Sequence, residues 1–134
     1  MPDTQQRPTV RGASAPGMPL PPGAWDTHTH VFGPFDRFPL VPGARYQPPL
    51  ATRSDHLSML DRAGLSRCVL VHASANGFDN SAVLDAVAHN PTRLLAVAVV
   101  PEDTGDTELE RLHSAGVRGL RFTMLAVDGG TTAC

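Results

Sequence analysis

At 134 residues the chain is sized for about one domain. With 41% hydrophobic and 18% charged residues it can bury a core, which excludes a wholly disordered chain. A formal net charge of -2 and a pI near 6.3 leave no basic field, so neither nucleic acid nor a membrane surface is an expected partner.

Residues 1–23 hold Pro2, Pro8, Pro16, Pro19, Pro21 and Pro22 with almost no large apolar side chain. This composition predicts a disordered proline-rich leader, ordered only where it meets the first strand. It lacks the apolar stretch of a signal peptide, and no run in the chain approaches a membrane span. The two cysteines, Cys68 and Cys134, are too few for a disulfide framework, so a reducing cytoplasm is the expected compartment.

A domain is expected over 24–125, opening with Ala24-Trp25-Asp26-Thr27-His28-Thr29-His30-Val31-Phe32-Gly33-Pro34. His28 and His30 are at i and i+2 of a short strand, so their side chains share a face. Two imidazoles side by side near a strand's C-terminal end can clamp a metal ion or polarise an oxygen. The competing reading is the ordinary alternation of polar residues along a half-exposed strand. The connection that follows, 35–51, is long and carries Pro39, Pro42, Pro48 and Pro49 with Phe35, Phe38 and Tyr46. Long loops in compact domains tend to be functional. Phe35 and Phe38 equally suit a core cover, whereas a buried Tyr46 needs a partner for its hydroxyl.

A helix is predicted over 52–64, capped by Thr52 or Ser54, with Leu57, Leu60 and Ala63 on one face and Gly64 as its stop. The apolar run 66–73 (SRCVLVHA) reads as a strand buried on both faces, with Cys68 a reduced, buried thiol. A second helix over 78–90 places Val83, Leu84 and Val87 on one face and ends at Asn90-Pro91. The run 94–100 (LLAVAVV) is the plainest buried strand. A third helix starts at Thr107, with Glu110 at capping-box spacing and Leu109 and Leu112 inward, and closes at Gly116. The run 118–123 (RGLRFT) is a fourth strand. His56, His89 and His113 fall in helices, where a solvated or capping role is expected.

The strand–helix alternation predicts an α/β fold with a parallel sheet and right-handed crossovers. No G-x-G-x-x-G follows the first strand, which removes the main support for a dinucleotide site. Chemistry at strand C-termini suits a (β/α)8 barrel of about 250 residues. The expectation is therefore the N-terminal half of a TIM barrel, about four parallel strands with three helices. Under strict alternation His72 shares Ser74's face and approaches His28 and His30, with a satisfied core histidine as the equal alternative. Ser74 can equally cap the next turn. Arg121 shares a strand face with Gly119 and Thr123, where a substrate clamp is expected and a structural arginine paired with a sheet-end carboxylate is the alternative.

The run from Pro21 to Pro34, with Ala44-Arg45-Tyr46, Val71-His72-Ala73-Ser74, Phe78-Asp79-Asn80 and Val117-Arg118-Gly119-Leu120-Arg121-Phe122, resembles the amidohydrolase-2 (amidohydrolase-related) family of barrel hydrolases. Within it the resemblance is closest to the 2-pyrone-4,6-dicarboxylate lactonase branch, and it covers only the N-terminal half of such a protein. The resemblance implies that His28 and His30 polarise a lactone carbonyl, that Tyr46, Ser74 and Arg121 bind a small carboxylated substrate, and that a late aspartate activates water. No cofactor is implied for the lactonase branch. The alternative is a divalent metal such as zinc, held by His28 and His30 in a metal-dependent decarboxylase of the same family. Guanidinium recognition of a carboxylate agrees with these roles.

The family pattern continues beyond Leu125 with a further basic residue, four more strand–helix units, a third histidine and that aspartate. Residues 126–134 diverge, and Asp128 does not match the aspartate's position. A truncated or frame-shifted product, inactive by itself, is the expectation. A non-catalytic fragment that only associates, as a homodimer or an aggregate through open sheet edges, is the remaining alternative.

Overall fold

The computed structural model describes residues 15–122, 126–127 and 130–131. Four strands, β1 (Trp25–Thr29), β2 (Arg67–Val71), β3 (Leu94–Ala98) and β4 (Val117–Leu120), pair in parallel and in chain order. Each crossover contains a helix: α1 (Arg53–Ala63), α2 (Ser81–His89) and α3 (Asp106–Ser114). The strand–helix order and the parallel sheet are those expected. Of the leader expected over 1–23, residues 1–14 lie outside the described residues, as do Thr123, Asp128 and Cys134 of the later expectations.

One core joins the helices to one face of the sheet. Leu60 of α1, Val83 and Val87 of α2 and Leu112 of α3 pack with Cys68, Leu70, Leu94, Ala96 and Ala98. Burial of each large aliphatic side chain contributes about 1.5–3 kcal/mol. The other face differs from expectation. Val69, Leu95 and Val97 alternate with the buried set but are only half-buried among the described residues, while Val71 on that face is buried, so the cover on this side is partial.

Helix ends explain most boundary differences. Thr52 caps α1 in a reciprocal box: its hydroxyl accepts from Asp55 N, and the Asp55 carboxylate accepts from Thr52 N at 3.0 Å. Gly64 closes the helix at φ 73, a left-handed cap that a side chain would strain. The capping box expected at Thr107 and Glu110 does not form. Gly105 is the N-cap, so Thr107 lies inside the first turn, where its hydroxyl cannot cap; Asp106 and Glu108 complement the helix dipole instead. The second helix starts at Ser81 rather than at 78, because Asn80 is used elsewhere. Its side chain donates to Val99 O at 2.8 Å and accepts from Val99 N at 3.0 Å, fixing the segment after β3.

The long connection after β1 is closed at its base, where Phe32 N donates to Ala51 O at 2.7 Å and Ala51 N returns to Phe32 O at 3.0 Å. Phe38 is buried in the core and covers it, as one reading anticipated. Two further anchors are Asn76 Nδ2 on Pro39 O at 3.1 Å and Val41 N on Ala75 O at 2.9 Å. Asp85 of α2 binds Arg37 of the connection at 2.8 Å and also Arg53 of α1. Within 126–134, β5 (Ala126–Val127) and β6 (Gly130–Thr131) pair antiparallel, a ladder that the sequence reading did not anticipate.

Candidate active site

The C-terminal end of β1 delivers both histidines to one place. The His28 and His30 rings lie 5.4 Å apart at 89°, edge to face. His28 is exposed, and its backbone N–H donates to Asp26 Oδ1 at 3.0 Å. His30 is half-buried, with Nδ1 2.7 Å from Val71 O. A carbonyl only accepts, so the Nδ1 carries a proton and Nε2 is the atom turned to chemistry. Neutral His30 then offers a lone pair at Nε2; only the imidazolium donates there to a substrate oxygen.

Tyr46 joins this pair indirectly. Phe32 lies 5.8 Å from the His30 ring and 6.4 Å from the Tyr46 ring, so an aromatic row runs from the imidazoles to the long connection. Tyr46 is exposed, and its placement therefore does not demand a buried partner for the hydroxyl. Ser74 opens a single 3-10 turn, Ser74–Asn76, directly after β2. Its carbonyl accepts the Gly77 N–H at 3.0 Å.

Arg121 follows β4, its backbone N–H bound to Ala98 O at 2.7 Å. Its guanidinium reaches past β3 to β2, where Nη1 donates to His72 O at 3.1 Å. His30 and Arg121 thus rest on successive carbonyls, those of Val71 and His72. The strand end gathers an imidazole and a guanidinium from opposite edges of the sheet, with Ser74 two residues on.

His72 itself is 2% exposed, and its Nε2 donates to Gly77 O at 2.6 Å. Burial is the main reason its imidazole is held below the ordinary value of 6.5; the Gly77 hydrogen bond and Asp79 oppose that shift, and Arg121 and His30 reinforce it. It is thus both a satisfied buried histidine and a neighbour of the site. His56 corrects the solvated role expected of helical histidines. It is buried in α1, with Nε2 3.7 Å from Cys68 Sγ and Nδ1 without a partner among the described residues. Its position one turn before Leu60 was the available signal. Desolvation lowers its pKa, and the same burial pushes the Cys68 thiol up to about 12, which makes that sulfur inert. His89 and His113 are exposed, as expected.

His28 and His30 are two imidazoles, and zinc takes three or four protein ligands. Among the described residues no group of three or more His, Cys, Asp or Glu side chains is arranged to hold a metal ion. The donor set on these residues does not by itself fit zinc. No helix of the described residues is long and apolar enough to cross a membrane.

Residues 25–130 match the amidohydrolase family model. The chain is 43% identical over 113 residues to 4-sulfomuconolactone hydrolase of Rhizobium radiobacter, covering 84% of this chain and 38% of that protein. It is 41% identical over 112 residues to 2-pyrone-4,6-dicarboxylate hydrolase of Comamonas testosteroni, covering 84% and 37%. Among solved structures it resembles an Acinetobacter baumannii protein described as a probable 2-pyrone-4,6-dicarboxylic acid hydrolase, with citric acid bound: TM-score 0.70, 34% identity, 78% of this chain and 40% of that one. An Agrobacterium tumefaciens protein in its apo form gives TM-score 0.74 at 30% identity, covering 83% and 40%. The chain therefore spans about two fifths of the length of the relatives it matches.

Proposed function

Since the chain belongs to the amidohydrolase family, we propose that its site serves a hydrolase that opens a carboxylated lactone of the pyrone-dicarboxylate kind, with water as the nucleophile. The observation that carries this reading is the anchoring of His30 and Arg121 on the successive carbonyls of Val71 and His72, at 2.7 and 3.1 Å, beside His28. Arg121 spends one N–H on His72 O and keeps the rest of its fork for a carboxylate. His28 and His30 draw charge from the lactone carbonyl, a role that His30 can take at Nε2 only as the imidazolium, so that water can attack its carbon. The acyl–oxygen bond then breaks, the ring oxygen leaves as an enolate that takes up a proton, and the new carboxylic acid releases one. Tyr46 and Ser74 supply hydroxyls at the rim for the substrate's polar edge.

Neither imidazole is hydrogen-bonded to a carboxylate of the described residues, so the group that removes the proton from water is not one of their contacts. A metal-dependent decarboxylase is the second reading. Its support is the lone pair that neutral His30 presents at Nε2; His28 and His30 would supply two of the three or four protein ligands that zinc takes.

The two readings separate in a chimera in which the part of the Comamonas testosteroni hydrolase not matched by this chain is appended to it. Opening of 2-pyrone-4,6-dicarboxylate, followed by the ultraviolet absorbance of the conjugated ring, is the expected result. Inertness toward the lactone, with release of carbon dioxide from an aromatic acid, would transfer the assignment to the decarboxylase reading.

A further inference from the structure

Two of the groups given the chemistry, His30 and Arg121, are oriented by backbone carbonyls, and a backbone carbonyl points where its strand end is held. Beyond Val71 the ladder continues through His72, whose N–H donates to Val97 O at 2.9 Å. The chain then turns sharply: Asn76 N reaches Ala73 O and Gly77 N reaches Ser74 O, each at 3.0 Å. Across this turn the His72 imidazole closes a ring by donating to Gly77 O at 2.6 Å. Gly77 has φ 60 and ψ -127, and a Cβ there would lie 2.7 Å from Val41 Cγ1. Its carbonyl is therefore presented to His72 by a conformation and a packing that suit glycine alone.

We propose that His72 is a positioning residue of the site: its bond to Gly77 holds the end of β2 so that the Val71 carbonyl aims His30, the His72 carbonyl aims Arg121, and the turn bearing Ser74 is kept closed. The imidazole need not touch substrate, because it acts through three groups that do in the lactone-opening reading, on which this role rests. Its burial at 2% exposure makes the bond to Gly77 costly to leave unmade.

Imidazole nitrogen NMR of the 134-residue chain tests this without any turnover. In the unaltered chain His72 should show the Nε2–H tautomer and His30 the Nδ1–H tautomer. An Nδ1–H His72 overturns the proposal with no variant needed. In His72→Leu, His30 should lose its single tautomer, while in His72→Gln, whose amide can still donate toward Gly77 O, it should keep it. A folded His72→Leu chain with His30 unchanged also overturns the proposal, since a purely structural histidine would lower stability and leave that signature alone. In the chimera, KM for 2-pyrone-4,6-dicarboxylate should rise about tenfold or more in His72→Leu and recover most of that in His72→Gln, the size usual for partners that orient a site. If the unaltered chimera is inert toward the lactone, the hydrolase reading fails, whereas the tautomers still decide the role of His72.

Discussion

Histidine 56 and histidine 72 are the residues whose charge the fold resists most visibly. Both are buried, and desolvation is the first cause of their lowered pKa values; Asp26 opposes the shift at His56 and Arg93 adds to it, while Asp79 and the Gly77 bond oppose it at His72 and Arg121 and His30 add to it. The folded-state values therefore lie below 6.5, and the unfolded chain takes up these protons first. Stability is complete above that pH and is lost as pH falls below it, by at most about 1.4 kcal/mol per pH unit for each group. Urea midpoints should consequently drop between about pH 7.5 and about pH 5.5, a window above the titration of most carboxylates. His56→Leu should remove a substantial part of that slope. Equal midpoints at the two pH values would show that the imidazoles titrate alike in the folded and unfolded chain.

At the scale of elements, Asp85 is the clasp between the long connection, α1 and α2. Its side chain is 11% exposed and holds Arg37 and Arg53, while His89 Nδ1 donates to its backbone carbonyl at 2.8 Å. Asp85→Ala should cost about 1–2 kcal/mol, the lower part of the usual range because Arg37 remains largely in water. A lower denaturant midpoint, with faster amide exchange at Val41 and Ala51, is the expected readout; unchanged exchange would mean that Phe38 and the Phe32–Ala51 bridge hold the connection unaided. The clasp was not legible in the sequence, whereas the helices and strands largely were. Leu57 and Leu60 recur at helical spacing, Gly64 marks a stop, and LLAVAVV can hardly be anything but a buried strand. His56 was misread because histidine on a helix is usually solvated, although it shares the Leu60 face. The cap of α3 was misread because Gly105 and Thr107 both precede apolar spacing, and only backbone angles distinguish them. Of the site, the shared face of His28 and His30 followed from alternation. The seats of His30 and Arg121 did not, because carbonyls of Val71 and His72 leave no mark in residue type.

At the scale of the molecule, the described sheet has two outer strands, β1 and β4, each with one unpaired edge. Leu120 and Phe122 are exposed at and just beyond β4, and Val69, Leu95 and Val97 are half-buried on the face away from the helices. Edges and apolar surface of this kind favour pairing with another chain. Sedimentation of the 134-residue chain should therefore show species heavier than 14.2 kDa that grow with concentration. A monomer at every concentration would mean that the edges are protected.

The role given to His28, His30 and Arg121 is tested most directly by the rate of pyrone-dicarboxylate opening in the chimera, with and without their side chains. Members of one catalytic unit can each be worth several powers of ten in rate, on the order of the whole unit. The His28→Ala/His30→Ala chimera should thus fall to the buffer rate, and Arg121→Ala should chiefly raise KM. Hydrolysis that persists undiminished in the double variant would contradict the assignment of carbonyl polarisation to these two imidazoles.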